Sequence, residues 1–240
     1  MSKTYVVGLI IFVPCLILAQ ISFTAHDITT SADEPYSVYA LDLDGDGDMD
    51  VLSASGGDDK IAWYENNGSE SFTAHIISTS SDKAYSVYAL DLDGDGDMDV
   101  LSASANDDKI AWYENNGSES FTANTITTSA DEASSVYALD LDGDEDIDVL
   151  SASFKDDTIA WYENDGSESF AAHDITTSAN GARSVYALDL DGDGDMDVLS
   201  ASREDDTIAW YENDGSESFA AHDITTSANG ARSVYALDLD

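Results

Sequence analysis

The sequence is poor in residues that several common protein classes require. Its 240 residues include one cysteine, two prolines and eight lysines or arginines, against 50 aspartates and glutamates. A single cysteine cannot form a disulfide framework within the chain. The formal net charge of −42 argues against nucleic acid or an anionic membrane surface as partner, because both require a basic face. The acidic excess instead favours bound cations, a salty or calcium-rich medium, or both.

One long hydrophobic run is present, and it lies at the N terminus. Lys3 precedes an apolar stretch of 15 residues from Tyr5 to Ala19. This length is short for a membrane span and is typical of a signal-peptide core. We therefore predict a signal peptide over 1–20 and a repeat region over 21–240, with an uncleaved anchor as the alternative. Cys15 lies inside the predicted signal, so the mature chain would contain no cysteine.

The sequence also lacks helical periodicity, and it contains a repeat. The segment LDLDGDGDMDVLSAS occurs at 41–55, 90–104 and 188–202, and a variant, LDLDGDEDIDVLSAS, occurs at 139–153. The copies are spaced 49 residues apart. A fixed period of this size is typical of solenoids, propellers and arrays.

Each unit contains four strand signals separated by turn signals. In the first unit they are SVYALD (37–42), DVLSAS (50–55), KIAWYEN (60–66) and SFTAHII (71–77). The pair Asn67–Gly68 marks a hairpin turn before the fourth strand. Four strands per unit at this period predict an all-β fold, a β-propeller of four-stranded antiparallel blades.

The units do not coincide with the ends of the chain. The complete units are four in number and lie over 37–79, 86–128, 135–177 and 184–226. The segment 21–29 matches the fourth strand of the repeat, as expected if the N terminus completes the last blade of a ring. Because the sequence stops at Asp240, inside a fifth loop, we expect an incomplete propeller from a longer parent.

Each of the four complete loops carries aspartate at positions 1, 3, 5, 7 and 9, and three of them carry glycine at position 6. Oxygen ligands at this spacing, with a glycine that permits a tight turn, would wrap a hard cation. We predict Ca²⁺, because magnesium requires a stricter octahedron and the loops contain no cysteine or histidine for zinc. The predicted metal ligands are Asp42, Asp44, Asp46, Asp48, Asp50, Asp91, Asp93, Asp95, Asp97, Asp99, Asp140, Asp142, Asp144, Asp146, Asp148, Asp189, Asp191, Asp193, Asp195 and Asp197.

Two other kinds of loop share part of this pattern. A helical calcium-binding loop needs glutamate at position 12 and flanking helices, whereas this position is serine and the flanks are strand-like. An acidic turn that binds nothing remains the alternative. In the third loop Glu145 replaces the glycine at position 6, and a left-handed backbone there would cost roughly 1–2 kcal/mol. We therefore predict that this loop binds calcium most weakly.

With this loop placed between two strands, the units resemble the calcium-binding blades of the FG-GAP/VCBS repeat family. That family is similar to the N-terminal propeller of integrin α-subunits. The Phe-Gly dipeptide and the Gly-Ala-Pro tripeptide that name the family are missing, and VLSAS follows the loop instead. The resemblance implies a seven-bladed parent, longer than this chain, and a secreted or cell-surface module for adhesion or ligand recognition.

Other residue types give weaker signals. One tryptophan per unit is expected to pack between blades, with sugar stacking as the alternative; these residues are Trp63, Trp112, Trp161 and Trp210. Four histidines are expected at surface positions of outer strands, without zinc or catalytic partners; they are His26, His75, His173 and His222. Since no phosphate loop, nucleophile elbow or further carboxylate pair is present, we expect no catalysis in this chain.

Differences among the copies concentrate in two connections of each unit. The connection before the first strand varies at 31–36, 80–85, 129–134 and 178–183, and that between the second and third strands varies at 56–60, 105–109, 154–158 and 203–207. In an up-and-down sheet both leave at one end, here called the variable end, opposite the aspartate end with its loops and Asn-Gly hairpins. We expect a protein or glycan ligand at the variable end, with neutral drift as the alternative. A lectin-like propeller, a non-catalytic repeat region of a larger extracellular enzyme and a structural spacer also remain open.

Overall fold

The computed structural model describes residues 24–238, so the predicted signal peptide lies outside the described residues. Within this range sixteen strands form four antiparallel sheets, each with its strands in chain order. Blade 1 contains β1 (Pro35–Leu41), β2 (Asp50–Ser55), β3 (Lys60–Asn66) and β4 (Phe72–Ser78). Blade 2 contains β5 (Ala84–Leu90), β6 (Asp99–Ser104), β7 (Lys109–Asn115) and β8 (Phe121–Thr127). Blade 3 contains β9 (Ala133–Leu139), β10 (Asp148–Ser153), β11 (Thr158–Asn164) and β12 (Phe170–Thr176), and blade 4 contains β13 (Ala182–Leu188), β14 (Asp197–Ser202), β15 (Thr207–Asn213) and β16 (Phe219–Thr225).

The predicted strands of blade 1 are confirmed to within two residues. Pairing aligns Leu52 of β2 with Tyr39 of β1 on one side and with Trp63 of β3 on the other. The second strand is largely buried on both faces, and after Asp50 its sequence consists only of small or aliphatic residues. Its serine Ser53 shares a hydrogen bond of 3.3 Å with the hydroxyl of Tyr64, so its polar atom is satisfied inside the sheet.

Blades pack face to face, as the repeat requires. Trp63 and Leu52 of blade 1 lie in one buried cluster with Ala84 and Val87 from the first strand of blade 2. The prediction that tryptophans pack between blades is confirmed for blades 1 to 3, since Trp112 and Trp161 lie in matching clusters. Trp210 of blade 4 is only partly buried and lies in none of these clusters. Packing accounts for the burial: Val87 is 4% exposed, whereas the equivalent Val38 on the open face of blade 1 is 70% exposed.

The first strands of successive blades lie side by side. Their tyrosines form a ladder of tilted rings with centroids 4.7 to 4.9 Å apart, made of Tyr39, Tyr88, Tyr137, Tyr186 and Tyr235. Neighbouring first strands also share hydrogen bonds; for example, the Val87 N–H donates to Ser37 Oγ over 3.4 Å. The blades therefore follow one another around a common axis in a propeller-like arc.

The described blades do not close into a ring. Residues 24–29, the described part of the segment expected to complete the last blade, belong to no strand, and residues 21–23 lie outside the described range. An outer strand exists only where it pairs with the third strand of a blade, and within 24–238 this segment has no such pairing. The same range holds no helix with the length and hydrophobicity of a membrane span.

Candidate functional site

The loop between the first and second strands brings three of its five aspartates together. In blade 1, ligand oxygens of Asp42, Asp44 and Asp50 all lie within 4.8 Å of one another. These are loop positions 1, 3 and 9. The corresponding clusters of the other blades are Asp91, Asp93 and Asp99; Asp140, Asp142 and Asp148; and Asp189, Asp191 and Asp197.

The aspartate at position 9 is the buried member of each cluster. Asp50 is fully buried, and its two oxygens accept hydrogen bonds from the Leu43 N–H (3.1 Å) and the Asn66 N–H (2.7 Å). The side-chain amide of Asn66 donates to the Met49 carbonyl over 3.1 Å. Because Asn66 ends β3, this network fixes the aspartate loop against the neighbouring hairpin. Sequence reasoning missed this asparagine, although its invariance in the repeated IAWYEN segment was an available signal.

The aspartate at position 1 shapes the turn. In blade 1, Asp42 accepts hydrogen bonds from the Gly45 N–H (2.9 Å) and the Gly47 N–H (3.1 Å). In blade 2, one carboxylate oxygen of the equivalent Asp91 is buried and has no hydrogen-bond partner among the described residues. An orphaned buried oxygen in a cluster of carboxylates fits a cation ligand.

The side chains at positions 5 and 7 lie outside the three-carboxylate cluster. Asp46 is exposed, and its oxygen accepts the Asp48 N–H over 2.9 Å. Asp48 packs against the hairpin, where Gly68 has φ +73° and a Cβ would collide with the Asp48 carboxylate. The role of these two positions as ligands stays a prediction in every blade.

Burial of so much negative charge shifts the acidity of the clusters. Burial raises the pKa of Asp99 and Asp148 to about 6, although backbone N–H donors act in the opposite direction. Burial also raises the pKa of the aspartate at position 3, the middle member of the cluster, in all four blades. Within residues 24–238, no lysine or arginine forms an ion pair with a loop aspartate. The donor set is therefore all oxygen and lacks an internal countercharge, which suits a hard divalent cation.

Position 6 adopts a left-handed backbone in all four loops, which is the condition for the predicted strain at Glu145. The glycines there have φ of +96°, +97° and +106° for Gly47, Gly96 and Gly194, and Glu145 has φ +78°. The Glu145 N–H donates to Asp140 over 3.1 Å, as the Gly47 N–H does to Asp42. The third loop thus closes the same turn with a residue for which this conformation is strained.

The outer strands hold a second repeated arrangement. His75 of β4 contacts the Glu65 carboxylate at 2.8 Å and stacks on Trp63 with ring centroids 4.5 Å apart. Equivalent pairs occur in blades 3 and 4, as His173–Glu163 and His222–Glu212. These three histidines lie on outer strands at or near the surface, as predicted, whereas His26 is exposed and lies in no strand. Sequence reasoning missed the carboxylate partners, which depend on the register between the third and fourth strands.

Blade 2 differs at this position because Asn124 replaces the histidine. A cleft of about 370 Å³ lies there, lined by Trp112, Glu114 and Asn124 and by the hairpin residues Ser167 and Glu168 of blade 3. Trp112 itself stays buried, at 4% exposure, so the open part of the cleft is formed by the polar side chains around it.

The variable end has a constant framework. Asp59, with φ +56°, accepts the Lys83 N–H of the next blade over 2.9 Å. Its equivalents Asp108 and Asp157 accept the N–H groups of Glu132 and Gly181 in the same way. Invariant aspartates therefore hold the backbone of variable loops, leaving the variable side chains free to differ.

Comparison with solved structures indicates the same architecture. A lectin from Agrocybe aegerita, described as recognising non-reducing terminal N-acetylglucosamine, superposes with a TM-score of 0.55 at 21% identity, over 79% of this chain and 52% of its own. A protein from Bacteroides fragilis, described as a 6-phosphogluconolactonase, has a TM-score of 0.60 at 15% identity, over 85% of this chain and 58% of its own. The chain thus spans little more than half of either structure, and at such identities the likeness shows the fold alone.

No curated protein is similar in sequence to this chain. The sequence profile of the FG-GAP-like repeat matches residues 42–102, 91–151, 140–200 and 189–240. Each match begins at the first aspartate of a loop and extends into the next blade. The four matches together span most of the sequence, and the chain belongs to the FG-GAP-like repeat family.

Proposed function

We propose that this protein is a calcium-binding β-propeller that is secreted or displayed at the cell surface and recognises a ligand, as in adhesion, at its variable end. One observation carries the calcium assignment. Three carboxylates converge in each of four loops around a buried aspartate, and no basic side chain of residues 24–238 neutralises them. FG-GAP repeats are typically extracellular and often bind calcium, which supports both parts of the proposal.

The aspartates at positions 1, 3 and 9 would hold the ion, with oxygens of positions 5 and 7 completing its coordination. A bound calcium ion supplies the positive charge that offsets carboxylate repulsion. Asp50 connects this loop to the end of β3 through the Asn66 N–H. Ion binding is therefore coupled to the order of the whole aspartate end, which makes calcium a structural component.

We assign recognition, and no catalysis, to this chain. Its strongest titratable clusters are the loop carboxylates, and carboxylates committed to a metal are poor general acids. The His–Glu pairs join each outer strand to the third strand of its blade at or near the surface, and each histidine also packs on the tryptophan of its blade. A catalytic domain elsewhere in a longer extracellular enzyme would leave this assignment intact, because the repeats would then be its non-catalytic part.

Lectin-like carbohydrate binding is the second candidate. The cleft between blades 2 and 3 presents the polar side chains Glu114, Asn124 and Ser167. A concave site with several hydrogen-bonding groups suits the hydroxyl groups of a sugar. The similar architecture of the fungal lectin is consistent with this candidate, although it does not identify a sugar.

The calcium assignment is tested by titrating the mature chain with CaCl₂ while following tryptophan fluorescence and thermal unfolding. We expect calcium to raise the melting temperature, and magnesium at the same concentration to have a much smaller effect. Asp93→Asn should weaken the response, whereas the matched variant Asp95→Asn, in the same loop but outside the cluster, should change it less. A folded chain that responds to neither ion would reduce the aspartates to an acidic surface.

A further inference from the structure

All three arginines of the chain converge on one recess. Arg183, Arg203 and Arg232 line a cavity of about 450 Å³ at the variable end, where the first strands of the blades begin. Arg183 lies at the start of β13, Arg203 follows β14, and Arg232 lies one repeat after Arg183. We call this cavity the arginine recess. In a chain with only eight basic residues, three in one cavity form a local positive site on an acidic surface.

The three arginines form no ion pair with another residue of 24–238. Within residues 24–238 the basic ion pairs are formed by lysines and histidines, such as Lys60–Asp58 and Lys109–Asp107 at 2.5 Å, and none involves an arginine. The chain has 50 acidic side chains that could have served as partners. Three guanidinium groups without a carboxylate partner in such a chain point to an anionic ligand from outside.

Aromatic rings hold one guanidinium in place. Arg183 stacks on the ring of Phe154 at 3.8 Å from the ring centroid and lies 5.7 Å from that of Tyr85. Stacking occupies the flat face of the guanidinium and leaves the N–H donors at its edge available. The orientation is therefore set before a ligand arrives, which lowers the entropy lost on binding.

The rest of the lining is polar and aromatic. Serines from successive blades, including Ser37 and Ser86, line the recess. Each accepts a backbone N–H from the next blade through its oxygen, which leaves its hydroxyl hydrogen available to donate. The rings of Tyr36 and Tyr85 lie 4.3 Å apart at the rim. Hydroxyl donors beside aromatic rings suit a small molecule with many hydroxyl groups.

We propose that the arginine recess binds the carboxylate or sulfate group of an acidic sugar. The planar fork of arginine matches both oxyanions, and the serines and tyrosines would contact the sugar hydroxyls and ring. A long polyanion is disfavoured because the net charge of −42 repels its remaining groups. This proposal rests on the proposed recognition role of the variable end, but it does not depend on calcium binding.

The test is a calorimetric titration of the calcium-loaded chain with D-glucuronate and glucose 6-sulfate, beside glucose and inorganic sulfate. We expect both acidic sugars to bind more tightly than glucose and than sulfate. The double variant Arg183→Gln/Arg203→Gln should weaken acidic-sugar binding by roughly tenfold or more. The matched double variant Lys60→Gln/Lys109→Gln removes the same charge at the same end, outside the recess, and should bind normally.

Each other outcome overturns the proposal. Glucose binding as tightly as glucuronate would show that the anionic group is not recognised, and sulfate binding as tightly would reject the sugar. Equal weakening by the lysine and arginine variants would assign the effect to net charge. The calcium-dependent melting temperature of the same samples is read separately, so failure of the recess and failure of the calcium proposal are distinguished.

Discussion

At both ends of the blades, aspartate carboxylates accept backbone N–H groups, but the two ends differ in how much their other side chains vary between copies. At the aspartate end, Asp50 accepts N–H groups from its own loop and from the neighbouring hairpin, and the surrounding residues are nearly identical in every copy. At the variable end, Asp59 likewise accepts a backbone N–H, from Lys83 of the next blade. A backbone N–H is the same whatever its side chain, so this bond tolerates lysine, glutamate or glycine at that position.

The difference shows where the sequence is constrained by geometry and where it is not. A cluster of three carboxylates is lost if any one of them changes, so the aspartate end varies little. The variable end keeps an aspartate pair, such as Asp58 and Asp59, and its serines, while most of its other side chains change from blade to blade. The arginines lie among those variable side chains, which is where ligand recognition can diverge without loss of the fold.

The largest expected effect is removal of calcium from the aspartate end. A ligand present at about 100 times its dissociation constant stabilises a protein by about 2.7 kcal/mol per site. Four such sites would then contribute roughly 10 kcal/mol, which is comparable to the whole stability of a typical domain. We expect excess chelator to lower the melting temperature sharply or to unfold the chain, as followed by circular dichroism. An unchanged unfolding curve in chelator would place the stability of the fold entirely in blade packing.

The second prediction separates the buried aspartate from its exposed neighbour. Asp99→Ala leaves the Leu92 and Asn115 N–H groups without their acceptor in a buried site. We expect a loss of about 2–5 kcal/mol in the free energy of unfolding, measured by denaturant titration. The control Asp95→Ala removes an exposed side chain of the same loop and should cost below about 1 kcal/mol in chelator. Equal losses of unfolding free energy in the two variants would show that burial of the aspartate at position 9 does not determine the stability of the loop.

The aspartate loops also show which features of the structure could be predicted from the sequence. The strands, the turn at position 6 and the packing of Trp63 follow from local periodicity, so they could be predicted. The sequence does not show which of the five evenly spaced aspartates is buried in the cluster. The buried one is held by the Asn66 N–H, which lies 16 residues beyond Asp50. The arginine recess is still less visible, since its members come from different blades and meet only once the blades are arranged around an axis.

A third prediction concerns acidity in the absence of calcium. The pKa of Asp99 and Asp148 in the folded chain is about 6, above the ordinary value of 3.8. Between these values the folded state binds more protons than the unfolded state, so stability rises as the pH falls through that window. In chelator we expect a higher melting temperature at pH 5 than at pH 7. With calcium the trend should weaken or reverse, because protons compete with the ion for the same carboxylates.

The control for this pH response is the double variant Asp99→Asn/Asp148→Asn, in which amides replace the two carboxyls and cannot titrate. Its melting temperature in chelator should depend less on pH than that of the unchanged chain. Asp156 at the variable end also has a pKa raised by burial, so some dependence should persist. If the melting temperature depends on pH equally in both proteins, the dependence arises from the net charge of the chain and not from the aspartate end.

The smallest expected effect concerns the one loop in which the aspartate end departs from its own pattern. Glu145 has φ +78°, in the left-handed region, and the glycines at this position have open space where a Cβ would lie. The cost of glutamate is therefore backbone strain without a collision, about 1–2 kcal/mol. Glu145→Gly should raise the stability of the calcium-loaded chain by about that amount and strengthen binding at the third loop. The reverse change, Gly96→Glu, should weaken the second loop to the same degree. If both variants bind calcium as the unchanged chain does, then the backbone at position 6 is not what distinguishes the four sites, and the added charge of Glu145 offsets its strain.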